Sequence, residues 1–199
     1  MDADTTFNIK SQLKDKFLIA SPSITDPRFE KSVVLICHHN DNGAMGIVIN
    51  KLQIPDLDLP LKLSDILPQI GILGDINVND SEILNGGPVD TDRGFLLHSN
   101  DTKTDACMLH LNHDLCLSAN KSLLEDLVTH NAPSKAILAI GYSQWSAGQL
   151  ENEIRNHSWI ITDSDPDLIF TDDKSTIWNK ALSKMGISPA LLAPLGGTA

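Results

Sequence analysis

The chain has 199 residues, 41% hydrophobic and 21% charged, with 26 acidic side chains against 15 Lys and Arg and a net charge of −11. A chain of this length suits one domain that buries roughly 70% of its unfolded surface and needs no covalent staple. The charge argues against direct binding to nucleic acid or to an anionic membrane, because that affinity comes from clustered cations, and here only Lys10, Lys14 and Lys16 lie close together.

Residues 1–15 read as an N-terminal extension. They carry Asp2 and Asp4 and no apolar run of the signal-peptide kind, so a cytoplasmic location is expected. No stretch of about 18 apolar residues spans a membrane. Phe17 to Ala20 is a short strand closed by Ser21-Pro22, and Pro22 and Pro27 bracket a loop. Ser32 to His38 is β-branched and apolar. Asn40-Asp41-Asn42-Gly43 is a turn signal, and Met45 to Asn50 resumes the strand character, which predicts a hairpin.

Lys51 to Asp80 is a long connection with three prolines, containing a short helix at Leu63 to Ile70 capped by Ser64. Ser81 to Leu84 and Arg93 to His98 read as strands around Asn85-Gly86-Gly87-Pro88, and Cys107 to Leu117 as one or two more. Ser118 to His130 is a helix with a capping box from Ser122 to Glu125 and a stop at Pro133. A buried strand follows at Ala136 to Gly141. A second box, Ser146 with Gln149, opens a helix to about Asn156. Ser158 to Thr162 is a strand, and Thr176 to Met185 a helix with Asp172 and Asp173 ahead of it and Gly186 at its C′ position. Strands in clusters, with helices mainly in the second half, give an α+β single domain with a mixed or largely antiparallel sheet over 16–187, and a tail at 188–199.

Two segments carry candidate binding chemistry. Gly86 and Gly87 let a backbone approach an anion, with Arg93 to supply charge; the plain alternative is a tight turn between strands. The segment from Gly141 through Ser143 and Trp145 to Gly148 and Gln149 reads as a strand, a short polar loop and a helix start, where unpaired N–H groups meet an anion; the alternative is simple capping, with Trp145 filling the core.

No catalytic signature and no metal set emerges. Cys37-His38-His39 lies on a strand, whose neighbouring residues face opposite ways. His98, His110, His113, His130 and His157 form no ligand spacing. Asp163, Asp165, Asp167, Asp172 and Asp173 lack the glycine and terminal glutamate of a calcium loop and read as a solvated loop and cap. The three cysteines are an odd count whose spacings match no CxxC pair, and Cys37 and Cys116 read as small buried hydrophobes; no cofactor is expected.

The run Phe17-Leu18-Ile19-Ala20-Ser21-Pro22, then Asp26-Pro27-Arg28-Phe29, Gly43 to Asn50, Gly86-Gly87-Pro88-Val89, Arg93-Gly94-Phe95 with His98, Gly141-Tyr142 through Trp145 to Glu151, and Ser158-Trp159 together resemble the AlgH/YqgE-like family of small bacterial proteins. The resemblance extends from Phe17 to about Ile187. It departs at Lys51-Leu52, where members have Arg-Pro, and at Gly196-Gly197-Thr198-Ala199, where members often end in Gly-His-Ala. It implies a strongly curved sheet flanked by helices, and members are labelled transcriptional regulators without an assigned activity. The expectation is therefore a non-enzymatic regulatory or binding protein, monomer or small homo-oligomer, acting on a protein partner or a small anionic ligand. The rival is a nucleotide- or phosphometabolite-binding protein or enzyme using Gly86, Gly87, Arg93 and the Trp145–Gln149 segment.

Overall fold

A computed structural model describes residues 13–54, 59–101 and 107–188. Its elements in chain order are β1 (Lys16–Ala20), β2 (Val33–Asn40), β3 (Gly43–Val48), α1 (Leu63–Ile66), β4 (Leu84–Asn85), β5 (Val89–Ser99), β6 (Leu109–Leu111) and β7 (Leu115–Ser118). There follow α2 (Lys121–Asp126), β8 (Ala136–Ser146), α3 (Gln149–Arg155), β9 (Trp159–Asp163), α4 (Pro166–Ile169) and α5 (Ile177–Lys184). This is the α+β architecture expected, with one sheet ordered β6-β7-β5-β8-β3-β2-β1-β9. Every pairing is antiparallel except that of β4 alongside β8, which makes the sheet mixed.

The predicted hairpin is β2–β3, closed where Asn40 pairs with Gly43. Alternation along β1 and β2 gives the sheet two apolar faces. Phe17, Ile19, Val33 and Leu35 face one cluster, which Leu97, Leu117 and Ile137 join from the far side of the sheet. Between β1 and β7 lie β2, β3, β8 and β5, about 24 Å of flat sheet at the usual strand spacing. Residues of β1 and β7 share one core because the sheet curls. Asn112, in the β6–β7 turn, donates its N–H to Asp15 Oδ1 at 3.0 Å just ahead of β1, yet β6 and β9 do not pair, so the curl stays open among the described residues. Helix α5 plugs the concave side with Ile177, Trp178, Ala181 and Leu182, and Trp178 Nε1 donates to the Ala20 carbonyl at 2.9 Å.

The opposite faces are covered in two parts. Leu18, Val34, Ile36 and Val48 pack under Trp145, Leu150 and Trp159. Leu96, Leu138 and Ala136 pack under Leu63, Leu67 and Leu123 of the helices α1 and α2 and the turn after α1. Each fully buried Leu, Ile or Phe in these layers contributes about 1.5–3 kcal/mol of transfer free energy.

Several expected boundaries shift for physical reasons. Lys62, not Ser64, is the N-cap of α1: Asp65 reaches back to the Lys62 N–H at 2.8 Å, and Ser64 instead bonds Asp80. Helix α2 is capped by Asn120, whose side chain accepts from the Ser122 N–H, and it ends at Asp126, short of His130. Ser81 and Glu82 make no continuous strand; β4 is Leu84–Asn85. The segment after Gly141 is not a polar loop, for β8 continues to Ser146. Gly141 has φ of 74°, which permits a kink, and the strand then pairs with β3. Leu13 is buried and the Asp15 N–H donates to the Ile36 carbonyl, so residues 13–15 pack on the domain. Asp165 caps α4 and Asp173 precedes a single 3-10 turn ahead of α5, while Gly186 takes φ of 71° past its end. Of the tail, only Ser188 falls among the described residues. Among these residues no helix is long and apolar enough to cross a membrane.

Candidate ligand groove

Strand alternation places Arg93 and Phe95 on the same side of β5, and the guanidinium lies 5.1 Å from the ring centroid. Beside them Tyr142 of β8 meets Phe95 edge-on at 5.5 Å between centroids. With Met45, Met108 and the end of the β2–β3 hairpin, these residues line an open groove of about 370 Å³. Arg93 is exposed, and His38 also lines the groove, with its Nε2 2.9 Å from Asn40 Nδ2. Among the described residues, no Asp or Glu lines this groove. Three other depressions on the same molecule are each lined by carboxylates, among them Glu82 and Asp172 in one, Glu30 in another and Asp26 and Glu153 in the third.

The residues singled out from the sequence separate into three groups. Arg93 and Trp145 share the groove. Gln149 lies in the depression on the other side of Gln144 and Trp145, so the groove does not include the start of α3. Gly86, Gly87 and Ser143 are buried where the chain crosses β8. A Cβ on Gly86 would sit 2.3 Å from the Gly141 oxygen, and one on Gly87 2.3 Å from the Tyr142 carbonyl carbon. The glycine pair is thus spent on backbone packing, and the Ser143 hydroxyl turns toward the Gly86 carbonyl at 3.5 Å.

The start of α3 is occupied by its own side chains. Gly148, with φ of 74°, is the N-cap and offers no side-chain bond. Gln149 Oε1 accepts from the Ser146 N–H at 3.0 Å, which is half of the expected capping box; the other half is missing because Ser146 ends a strand. Gln149 Nε2 donates to Glu153 Oε1 at 2.9 Å. Glu153 was not visible as special in the sequence: its Oε2 accepts from Trp145 Nε1 at 2.9 Å and from Trp159 Nε1 at 2.7 Å, locking two buried indoles that meet edge-on.

The other candidates are structural. Cys37 is sealed in the core, and burial pushes its thiol up to about 12. His98 is buried between the Ser99 carbonyl and the Ser118 hydroxyl, 2.9 and 3.0 Å from its two ring nitrogens, and burial lowers its pKa. His39 is buried with Nε2 3.1 Å from Glu151 Oε1. Lys174 was also missed. It is buried, donates to the Ile169 carbonyl at 2.9 Å, and desolvation lowers its pKa to about 8, against the pull of Asp172 and Glu82. The expectation for Cys116 is corrected: it is buried, but it forms a disulfide with Cys107, because the β6–β7 hairpin brings their Cα atoms to 5.5 Å. Among the described residues, Cys107, His110 and Cys116 are the one group with the donor set of a metal site.

Residues 17–190 match the model of the AlgH-like family, DUF179. A UPF0301 protein of Paracoccus denitrificans is 40% identical over 191 residues, covering 95% of this chain and 98% of its own. One from Photobacterium profundum is 39% identical, covering 91% and 96%. The solution structure of the AlgH protein from Pseudomonas aeruginosa superposes over 100% of both chains with a TM-score of 0.72 at 31% identity. A crystal structure of a Corynebacterium diphtheriae protein shares the fold, with a TM-score of 0.69 at 19% identity.

Proposed function

Since the chain belongs to the AlgH-like family, whose names carry no activity, we propose from its own geometry that it is a non-enzymatic, regulatory ligand-binding protein. Its ligand is a small anion with a flat apolar body, held in the groove of Arg93, Phe95 and Tyr142. The observation that carries this reading is that no carboxylate among the described residues lines that groove, on a protein with a net charge of −11 and with carboxylates lining three other depressions. Arg93 offers a planar, permanently charged fork, already oriented over Phe95. Met45 and Met108 supply adaptable apolar walls.

Two further points favour binding over catalysis. His38 and Tyr142 line the groove, and among the described lining residues no serine, cysteine or carboxylate joins them to make a nucleophile and base. The thiol of Cys37 and the imidazole of His98 are both buried in the core. Direct nucleic-acid binding is disfavoured by the same charge that makes the groove distinctive.

The test is a thermal-shift panel of aromatic carboxylates and nucleoside monophosphates, followed by calorimetric titration. A ligand at 100 times its Kd stabilises by about 2.7 kcal/mol. Arg93→Ala is expected to weaken binding about 10- to 100-fold, as for loss of one charge-assisted contact. Silence across the panel, or full affinity in the alanine variant, overturns the reading.

A further inference from the structure

We propose that Cys107, His110 and Cys116 form a dithiol–disulfide exchange site that reacts with low-molecular-weight thiols and disulfides, independently of the Arg93 groove. Strand β6 is three residues long and, among the described residues, pairs only with β7, so it lies at one edge of the sheet. His110 pairs directly opposite Cys116, and Cys107 lies two residues before β6. This register gathers three side chains at one corner. His110 Nδ1 is 3.4 Å from Cys107 Sγ and 3.7 Å from Cys116 Sγ.

The two sulfurs differ in access. Cys116 is fully buried, Cys107 is half-buried and His110 is exposed. An incoming sulfur therefore meets Cys107 first, with an imidazole beside both sulfurs to move the proton. A domain of this size, with apolar layers on both faces of its sheet, does not need a cross-link that spans nine residues to remain folded. Cys37 is sealed in the core and does not compete.

The reaction balances as follows. A small thiolate attacks Cys107 Sγ and forms a mixed disulfide. The Cys107–Cys116 bond breaks with its electron pair on Cys116 Sγ, which takes a proton relayed by His110. A second small thiolate attacks the mixed disulfide, releases Cys107 as a thiol after protonation, and leaves as the small disulfide. Two electrons pass from two small thiols to the protein, and the reverse sequence reoxidises it with a small disulfide.

The full chain is equilibrated in defined ratios of 2-mercaptoethanol and bis(2-hydroxyethyl) disulfide, quenched with iodoacetamide and weighed intact. Two thiols are expected to appear together as the ratio rises, while Cys37 stays unmodified in the folded protein. Cys116→Ser should accumulate a mixed disulfide at Cys107, and Cys107→Ser should accumulate much less at Cys116. His110→Ala should slow exchange at neutral pH by at least about tenfold without moving the equilibrium ratio. The proposal fails if the wild-type pair stays oxidised, or stays reduced, at every ratio. It fails equally if the two serine variants trap the small thiol alike, if His110→Ala exchanges at the wild-type rate, or if added Zn²⁺ held by the reduced cysteines prevents disulfide formation.

Discussion

Glu153 offers the sharpest test of how the convex layer is held. One carboxylate oxygen accepts both indole N–H groups, at 2.9 Å from Trp145 and 2.7 Å from Trp159, and the other accepts from Gln149. Both indoles are about 95% buried, with exposures of 4% and 5%. In Glu153→Ala each loses a charge-assisted acceptor, and an unsatisfied buried donor costs about 1–3 kcal/mol. The half-exposed position of Glu153, beside an open depression, lets water replace part of the loss. The expected net cost is about 2–3 kcal/mol. Glu153→Gln keeps one acceptor oxygen but sets its amide N–H groups against Gln149 Nε2, so about 1 kcal/mol is expected. Urea unfolding followed by tryptophan fluorescence measures both, and the larger loss corresponds to a fall in Tm of roughly 4–12 °C for a domain of this size. A cost below about 0.5 kcal/mol for the alanine variant, or equal costs for both variants, would refute the double-acceptor account.

Gly87→Ala is expected to destabilise by more than about 3 kcal/mol, since φ is 148° and the new Cβ falls 2.3 Å from the Tyr142 carbonyl carbon. Gly148→Ala, with φ of 74° and open space around it, should cost only about 1 kcal/mol in the same denaturation assay. Lys174 predicts a pH dependence. Its pKa falls from 10.5 to about 8 on folding, so below pH 8 both states are charged and the folded state bears the full burial cost. Between about pH 8 and 10.5 the unfolded chain holds the proton that the folded chain has released, and stability rises with pH by up to about 3 kcal/mol. Lys174→Met should remove that rise, as followed by urea midpoints across the window.

Much of the fold was legible because its signals are local. The turn Asn40 to Gly43 between two apolar runs gives β2–β3, and the acidic residues before α5 with Gly186 after it mark that helix. What was not legible depends on distant partners. Gly141 resembles the end of a strand, but it is a kink that lets β8 pair with β4 and β5 on one stretch and β3 on the next. Gly86-Gly87 resembles an anion cradle because chemistry and close packing both need a missing Cβ; only the crossing of β8 tells them apart. Glu153 is eight residues from Trp145 and six from Trp159, spacings that mean nothing until a strand, a helix and another strand fold together. The Cys107–Cys116 pair was missed because its spacing matches no motif: Cys116 stands opposite His110 in the hairpin, and the chain just ahead of β6 brings Cys107 to it.

Net charge describes the whole chain and says little of the lining of one groove. In β5, Arg93 and Phe95 line the groove, and Asp92 beside Arg93 is not among its lining residues. Beyond the kink at Gly141, Tyr142 and Gln144 line the same groove. Charges beyond about 8–10 Å are largely screened at physiological ionic strength, so the potential felt by a bound molecule is set by these few neighbours and not by the total of −11. An acidic exterior also disfavours polyanions, whose many charges extend past the groove, while a compact anion seated against Arg93 stays within it. On the proposed reading, therefore, a compact anion is the ligand to test against Arg93, and a nucleic-acid strand is the control expected to give no shift.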